Sequence, residues 1–239
     1  ISACLVGSEM CIRDRFATGD ELVQPGVQPG PGQIVSSNTF ALAALARAEG
    51  AEVTDLGIVA DRLDATIAAV RRAREFGADV LVTSGGASVG DYDLVQEAFA
   101  AEGMTLSFWK LALRPGRPLM HGRLDDMQVL GVPGNPVSAY ICGFLFLAPL
   151  IRRLAGRTDL AMQTESAVLG CDLPGNDERA DYLRAALQAG PEGPIATPFP
   201  LQDSSMMAPL AKADCLVIRE PYEPPAKAGS TCRIVKLDR

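Results

Sequence analysis

Histidine is nearly missing from this chain. His121 is the only one in 239 residues, which rules out a metal centre built on imidazoles, and it reads as a loop residue without special role. Cysteine pairs are missing too. The six cysteines are scattered, with no CxxC spacing and no His cluster to partner them. That is the pattern of reduced cytosolic thiols, not of a disulfide frame or a zinc site. Positive charge is short: 22 Lys and Arg stand against 29 Asp and Glu, and the net charge of −7 argues against a nucleic-acid partner. Local clusters of positive charge still leave room for anionic ligands. No apolar run is long enough for a membrane span. The longest, Val137 to Ile151, falls short of roughly 20 residues and contains Pro149, so it reads as a buried helix of a soluble core. Nor does a secretory signal appear, since Ile1 to Arg15 lacks a basic start and a small-residue cleavage site.

What remains is an ordinary globular composition, 48% hydrophobic and 21% charged, long enough for one large domain or two small ones. Its most informative stretch is Thr83-Ser-Gly-Gly-Ala-Ser-Val-Gly-Asp-Tyr-Asp93. The apolar run Ala78 to Val82 before it reads as a buried strand, and Leu94 to Ala100 after it has helical spacing. A Gly- and Ser-rich loop at the carboxyl end of a strand is where an open α/β sheet binds ligands, and its exposed N–H groups suit phosphate. Asp91 and Asp93 would repel a phosphate unless a divalent cation bridges them, most simply a Mg²⁺ that keeps its waters. A tight turn with a helix cap is an equally open reading of the loop alone.

From Phe16 to about Ala155 strand and helix alternate. Gln33 to Asn38 leads into a helix through Ala48 closed by Gly50, and Glu52 to Gly57 is a strand. Asp64 caps a helix to about Phe76, with Ile67, Val70 and Ala73 on one face. Extended segments follow at Leu106 to Leu113 and Gln128 to Val132, then a helix from Pro136 to Leu154. Such alternation predicts βαβ units and a parallel sheet sandwiched by helices. Beyond Gln163 only short extended runs remain, at Ser166–Leu169, Asp181–Leu187, Cys215–Ile218 and Cys232–Lys236, which predicts a small all-β sandwich or barrel. The expected domains are therefore 16–157 and 163–239.

Two further loops carry chemistry. Phe108-Trp-Lys-Leu-Ala-Leu-Arg-Pro-Gly-Arg-Pro118 gathers Lys110, Arg114 and Arg117 around a Pro-Gly turn, which suits an oxyanion as well as it suits a solvated basic edge. Trp109 reads as core. Gly131-Val-Pro-Gly-Asn-Pro-Val-Ser138 runs from a strand into a helix, with Asn135 at the N-cap and Pro136 at the first helical position. The first-turn N–H groups there form an anion site or simply a well-capped helix start.

Taken in order, these segments resemble the molybdopterin molybdenumtransferases, the family of bacterial MoeA and the E domain of gephyrin. The matching text is Thr18-Gly-Asp-Glu-Leu22, Gly32 to Asn38, Thr83 to Gly90, Phe108-Trp-Lys110 with Arg114-Pro-Gly-Arg-Pro118, and Val132 to Ser138. The resemblance covers nearly everything after Arg15. It implies the last step of molybdenum cofactor synthesis: adenylylated molybdopterin is bound as substrate, molybdate enters the dithiolene as second substrate, and AMP is released with Mg²⁺ present. By position, Glu21, Asp61 and Asp93 resemble the family's acidic residues, holding Mg²⁺ or placing molybdate. Lys110 and Arg114 resemble its basic ones, with Arg114 where Lys is usual. Asn38, Ser84, Gly85, Gly86, Ser88, Gly90, Arg117, Pro133, Gly134, Asn135 and Ser138 would bind the pterin and its phosphate. Arg184 and Ser204, in the β domain, would reach the same cleft.

The resemblance implies a cytoplasmic enzyme, with a homodimer as the full-length assembly. Its members carry two further domains ahead of this segment, so the chain reads as a carboxyl-terminal fragment that binds ligand without full turnover. Residues 1–15 differ in composition from the rest of the chain and join Phe16 abruptly, so they read as a non-native leader. Molybdopterin adenylyltransferases and a nucleotide pyrophosphatase family share the α/β domain. The trailing β domain and the Phe108-Trp-Lys110 segment favour the transferase, and a scaffold without activity is the non-enzymatic alternative.

Overall fold

A computed structural model describes residues 11–85, 94–160, 162–191 and 193–237. The chain forms two compact units. The first opens with β1 (Cys11–Thr18), the two-residue strands β2 (Leu22–Val23) and β3 (Ile34–Val35), then α1 (Asn38–Ala48) and β4 (Glu52–Val59). It continues through α2 (Leu63–Glu75), β5 (Val80–Ser84), α3 (Leu94–Ala101) and β6 (Thr105–Trp109). A two-residue strand, β7 (Leu113–Arg114), belongs to the other unit. Next come β8 (Met120–Leu124), β9 (Met127–Val132) and the long helix α4 (Pro136–Leu154), whose first three residues, Pro136–Ser138, group with the second unit.

The first sheet has the order β4-β1-β5-β9-β8-β6. Its first four strands are parallel, as the βαβ alternation predicts, and β5 is buried at every position, the mark of a strand covered on both faces. Two antiparallel strands extend it. Met120–Leu124 forms a hairpin with β9, so His121 is a strand residue, not a loop residue; its ring stacks on Phe108 and its Nε2 meets Gln128 Oε1 at 3.2 Å. Strand β1 takes in Cys11 to Arg15. Its register against β4 shifts between Arg13 and Phe16, and its pairing with β5 begins at Arg15.

Helix α2 buries Thr66, Ala69, Val70 and Ala73, a face turned slightly from the one expected around Ile67. Its N-cap position is Arg62 and no side chain caps it; Asp64 lies in the first turn and pairs with Arg62 instead. Helix α4 runs through Pro149 rather than stopping at it. Proline lacks an N–H and crowds the carbonyl one turn back, and the preceding turn, Gly143–Leu147, opens into π geometry that makes room. The helix is thus long and apolar enough to cross a membrane by length and composition alone. Of its most apolar window 56% is buried, with Val137, Ile141, Leu147 and Ile151 wholly inside, the behaviour of a core helix.

In the second unit, β10 (Thr164–Leu169), β11 (Ala180–Gly190), β12 (Gly193–Pro198), α5 (Met207–Lys212), β13 (Cys215–Arg219) and β14 (Thr231–Lys236) follow. The order is β12-β10-β14-β13-β11-β7, and β12 also pairs with β11, so five strands close into a barrel. Small residues line its core: Ala167, Ala185, Ala196 and Cys215, with Leu169, Val217 and Ile234. Strand β12 and helix α5 are not among the elements that the sequence predicts. The described cysteines Cys142, Cys171, Cys215 and Cys232 are free thiols, and burial pushes those of Cys142 and Cys215 up to about 12.

One ion cluster ties the ends of two helices in the first unit. Glu49, just past α1, accepts from Arg152 Nε at 2.7 Å and from Arg157 Nη1 at 2.9 Å. Glu49 and Arg152 are only 11% and 18% exposed, so losing the carboxylate strands a mostly desolvated guanidinium. Glu49→Ala should lower stability in urea unfolding by about 2 kcal/mol, between the values for exposed and fully buried pairs.

Candidate functional site

One row of residues crosses the first sheet in register: Gly57, Phe16, Thr83, Gly131, Met120 and Trp109. Just beyond it the chain leaves each strand, and there the candidate residues gather. Gly19, Asp20 and Glu21 follow β1, Asp61 follows β4, Gly85 follows β5, Pro133 and Gly134 follow β9, and Lys110 follows β6. Two reversals, at β8 and β6, bring β6 back to the direction of β9, so all of them share one edge. The chain moves from β1 outward to β4 and then back past β1 to β5. Connections diverge between β1 and β5, which is where open α/β sheets leave a ligand crevice.

The acidic end is built on β1 and β4. Asp61 N–H donates to Asp20 Oδ1 at 3.3 Å. Loss of solvent around Asp61, then the negative charges of Asp20 and Glu21, raise its carboxyl above the ordinary value. Glu21 folds back over Gly19: a Cβ there would lie 2.6 Å from Glu21 Oε2. Asp20 carries no distinguishing signal in the sequence, although it stands in the same Thr-Gly-Asp-Glu run. Among the described residues, no group of three or more His, Cys, Asp or Glu is placed to chelate a metal ion. Asp93 lies outside the described residues, as do Gly86, Ser88 and Gly90.

At the crevice three loops are tied by one side chain. Asn38 Nδ2 donates to Ser84 Oγ at 2.8 Å and to Gly134 O at 2.7 Å, joining the start of α1 to the ends of β5 and β9. Gly85 has φ +93, and a Cβ there would meet Thr18 O at 2.5 Å. Beside it the hydroxyls of Thr18 and Thr83 are buried with no hydrogen-bond partner among the described residues. Pro133 is buried, whereas Gly134 and Asn135 are exposed.

The basic loop is divided between the units. Lys110 stays with the first; Arg114 and Arg117 go with the second. Lys110 takes a left-handed backbone, φ +66, and its ammonium lies 3.9 Å from the centre of the Trp109 ring. Trp109 is half-buried and packs on the core, as expected, but it also carries that charge.

Arg114 is already engaged by carboxylates, while its side chain stays 43% exposed. Its fork is filled by Asp181, with Nε–Oδ1 and Nη2–Oδ2 both 2.7 Å, and by Asp177 at 3.1 Å and Asn176 at 3.2 Å. Arg117 is exposed. Arg184 is 1% exposed, and burial lowers its guanidinium below the ordinary value. It donates to Gln202 Oε1 and to the carbonyls of Asp203, Met206 and Leu201, so it holds the loop that contains Ser204 instead of facing solvent. Ser204 is half-buried, and its carbonyl accepts from Val137 N–H at 3.1 Å. That bond occupies one of the N–H groups expected to form an anion site at the start of α4. Asn135 stands at the N-cap of this helix but no side-chain cap hydrogen bond forms there among the described residues, and Ser138 is buried in its first turn. A cleft of about 610 Å³ opens in the second unit beside Arg114, Asn176, Phe199 and Arg219; Arg184 and Ser204 do not line it.

Residues 15–153 match the family described as "Probable molybdopterin binding domain", and residues 166–237 match the "MoeA C-terminal region (domain IV)". The chain is 32% identical over 92% of its length to the molybdopterin molybdenumtransferase of Haemophilus influenzae, covering 54% of that protein. To the one from Bacillus subtilis it is 33% identical over 93% of its length, covering 51%. Among solved structures, a molybdopterin biosynthesis MoeA protein from Pyrococcus horikosii superposes with a TM-score of 0.81 at 26% identity, over 97% of this chain and 55% of that one. The chain spans about half the length of the curated relatives it matches.

This geometry makes two outcomes testable. Gly85→Ala forces a Cβ onto a backbone carbonyl at a left-handed position and should cost about 1–3 kcal/mol in urea unfolding, alongside weakened ligand binding. In the second unit, hydrogen bonds from Arg179, then the charge of Arg114, hold Asp177 down at about 2. A carboxyl lowered on folding stabilises above its ordinary value of 3.8 and loses that contribution as pH falls toward 2. Acid titration of the folded chain should show a loss of stability in that window that is smaller in Asp177→Asn.

Proposed function

The chain belongs to the family of the molybdopterin molybdenumtransferases, joining the pterin-binding domain to the MoeA carboxyl-terminal region, and we propose that its whole protein inserts molybdate into adenylylated molybdopterin with release of AMP. The observation that carries this reading is the layout of the sheet edge. From β1, where the acidic end is anchored, to β6, which Lys110 follows, the strands are roughly 19 Å apart, at about 4.8 Å per neighbour. A compact substrate would not use both ends. A long ligand with a diphosphate between two ring systems would.

On this reading each part has its task. The backbone at Gly85 and Gly134, closed up by Asn38, offers a narrow polar crevice for the phosphate-bearing middle of the ligand. Lys110 supplies a positive charge for an oxyanion. Asp61, with Asp20 and Glu21, forms a negative end that a cation would relieve, since burial and then the charges of Asp20 and Glu21 already raise Asp61. That fits a Mg²⁺ held largely through its own waters, which needs few protein ligands. Such an ion would neutralise charge on the departing phosphate. Gly86, Ser88, Gly90 and Asp93 keep the roles that the resemblance implies. Arg114 and Arg184 support the reading differently from expectation, as residues that brace the loops of the barrel unit.

The test is binding of adenylylated molybdopterin to the 239-residue chain, followed by AMP release with Mg²⁺, with and without molybdate. Saturable binding, weakened about tenfold or more when Asp61→Asn and Glu21→Gln are combined, is the expected result. AMP release that depends on molybdate would show the chain sufficient for turnover. Release indifferent to molybdate would point to a pyrophosphatase, and absence of binding would sink the reading.

A further inference from the structure

Trp109 and Lys110 are neighbours in sequence, and neighbours on a strand face opposite sides of a sheet. Here they meet. The left-handed backbone at Lys110, φ +66, breaks the alternation and folds the side chain back, so that Nζ sits 3.9 Å from the indole centre. A non-glycine residue holds such a conformation only where its surroundings enforce it. Two bonds do so: Lys110 N–H donates to Leu119 O at 3.0 Å, and Leu111 N–H to Arg117 O at 2.9 Å. The indole itself is held by packing against the core cluster that contains Phe99 and Met120, with its Nε1 buried and without a hydrogen-bond partner among the described residues. The face it turns outward is therefore constant.

We propose that Trp109 is a positioning residue: its ring face seats the Lys110 ammonium at the carboxyl edge of the sheet, ready to pass to an oxyanion. The proposal rests on the reading of Lys110 as an oxyanion holder and names what keeps it in place. Without the ring, a four-carbon side chain on an exposed residue would sample many rotamers, and ordering it would weaken binding. The oxyanion is molybdate or the phosphate of a nucleotide; both offer the same chemistry, and separate titrations distinguish them.

Trp109 is the only tryptophan in the chain, so emission changes can be assigned to its surroundings, of which the Lys110 ammonium is the nearest charge on its ring face. The 239-residue chain is titrated with molybdate and, separately, with AMP, following tryptophan emission and heat of binding. Saturable emission changes are expected with at least one of them. Lys110→Met should alter the emission of the unliganded chain and abolish the saturable change. By calorimetry, Trp109→Leu should weaken oxyanion binding about threefold, and Trp109→Phe, which keeps an aromatic face, should recover most of it. Thermal melts of all variants separate this from unfolding. Equal weakening in the Leu and Phe variants would mean packing alone and would overturn the proposal, as would unchanged emission in Lys110→Met. Those results leave wild-type binding intact; wild-type chain that binds neither anion would instead remove the reading of Lys110, and the proposal with it.

Discussion

Parallel pairing of β1 with β5 spans only Arg15–Val82, Phe16–Thr83 and Ala17–Ser84, yet the placement of the candidate residues that follow β1, β4 and β5 depends on it. It sets Thr18 against Gly85, close enough that a side chain at 85 would strike the Thr18 carbonyl. It also aligns the exit of β1, with its carboxylates, beside the exit of β5. Because Phe16, Thr83, Val80 and Leu81 are wholly buried, a slip of one residue would swap side chains between two closely packed faces, so the register is strongly fixed. Asn38 then locks the neighbouring loops by giving one amide to both Ser84 and Gly134.

Much of this was legible in the sequence, where a local signal existed. Helices α1, α2 and α3 show their period and end at Gly50, Gly77 and Gly103, all with left-handed backbones. The strands Val80–Ser84 and Met127–Val132 are apolar runs ending in glycine-containing loops. Strand β8, Met-His-Gly-Arg-Leu, has no β-branched residue and follows Pro118, so nothing local marks it. Strand β12 is framed by Pro194 and Pro198 and reads as loop. In the site, Glu21, Asp61 and Lys110 stand on the edge that the loops predicted. The tasks of Arg114 and Arg184 were not readable. Both depend on partners far along the chain, Asp181 lying 67 residues from Arg114, and charge in sequence does not reveal whether a guanidinium is already satisfied.

The charges divide accordingly into engaged and available ones. Arg114, Arg152, Arg157 and Arg179 are engaged with carboxylates, and Arg184 with carbonyls and Gln202. These contacts fix loops and helix ends. At the sheet edge the pattern is reversed: Asp20, Glu21 and Asp61 crowd one another, Lys110 rests on a ring, and two threonine hydroxyls lie buried without a partner among the described residues. Unbalanced charge and strained backbone concentrate where chemistry is expected to occur.

Strand β7 carries a consequence for how this protein can be divided. Its two residues lie upstream of β8, yet they pair with β11 and deliver Arg114 to Asp181, whose carboxylate is 9% exposed. The barrel unit is thus not a contiguous stretch of gene. A clone beginning after α4 would encode every barrel strand and still lack the countercharge for a buried acid. Recombination or domain shuffling at that junction carries a hidden electrostatic debt, so the two units must be inherited together even though each has its own core.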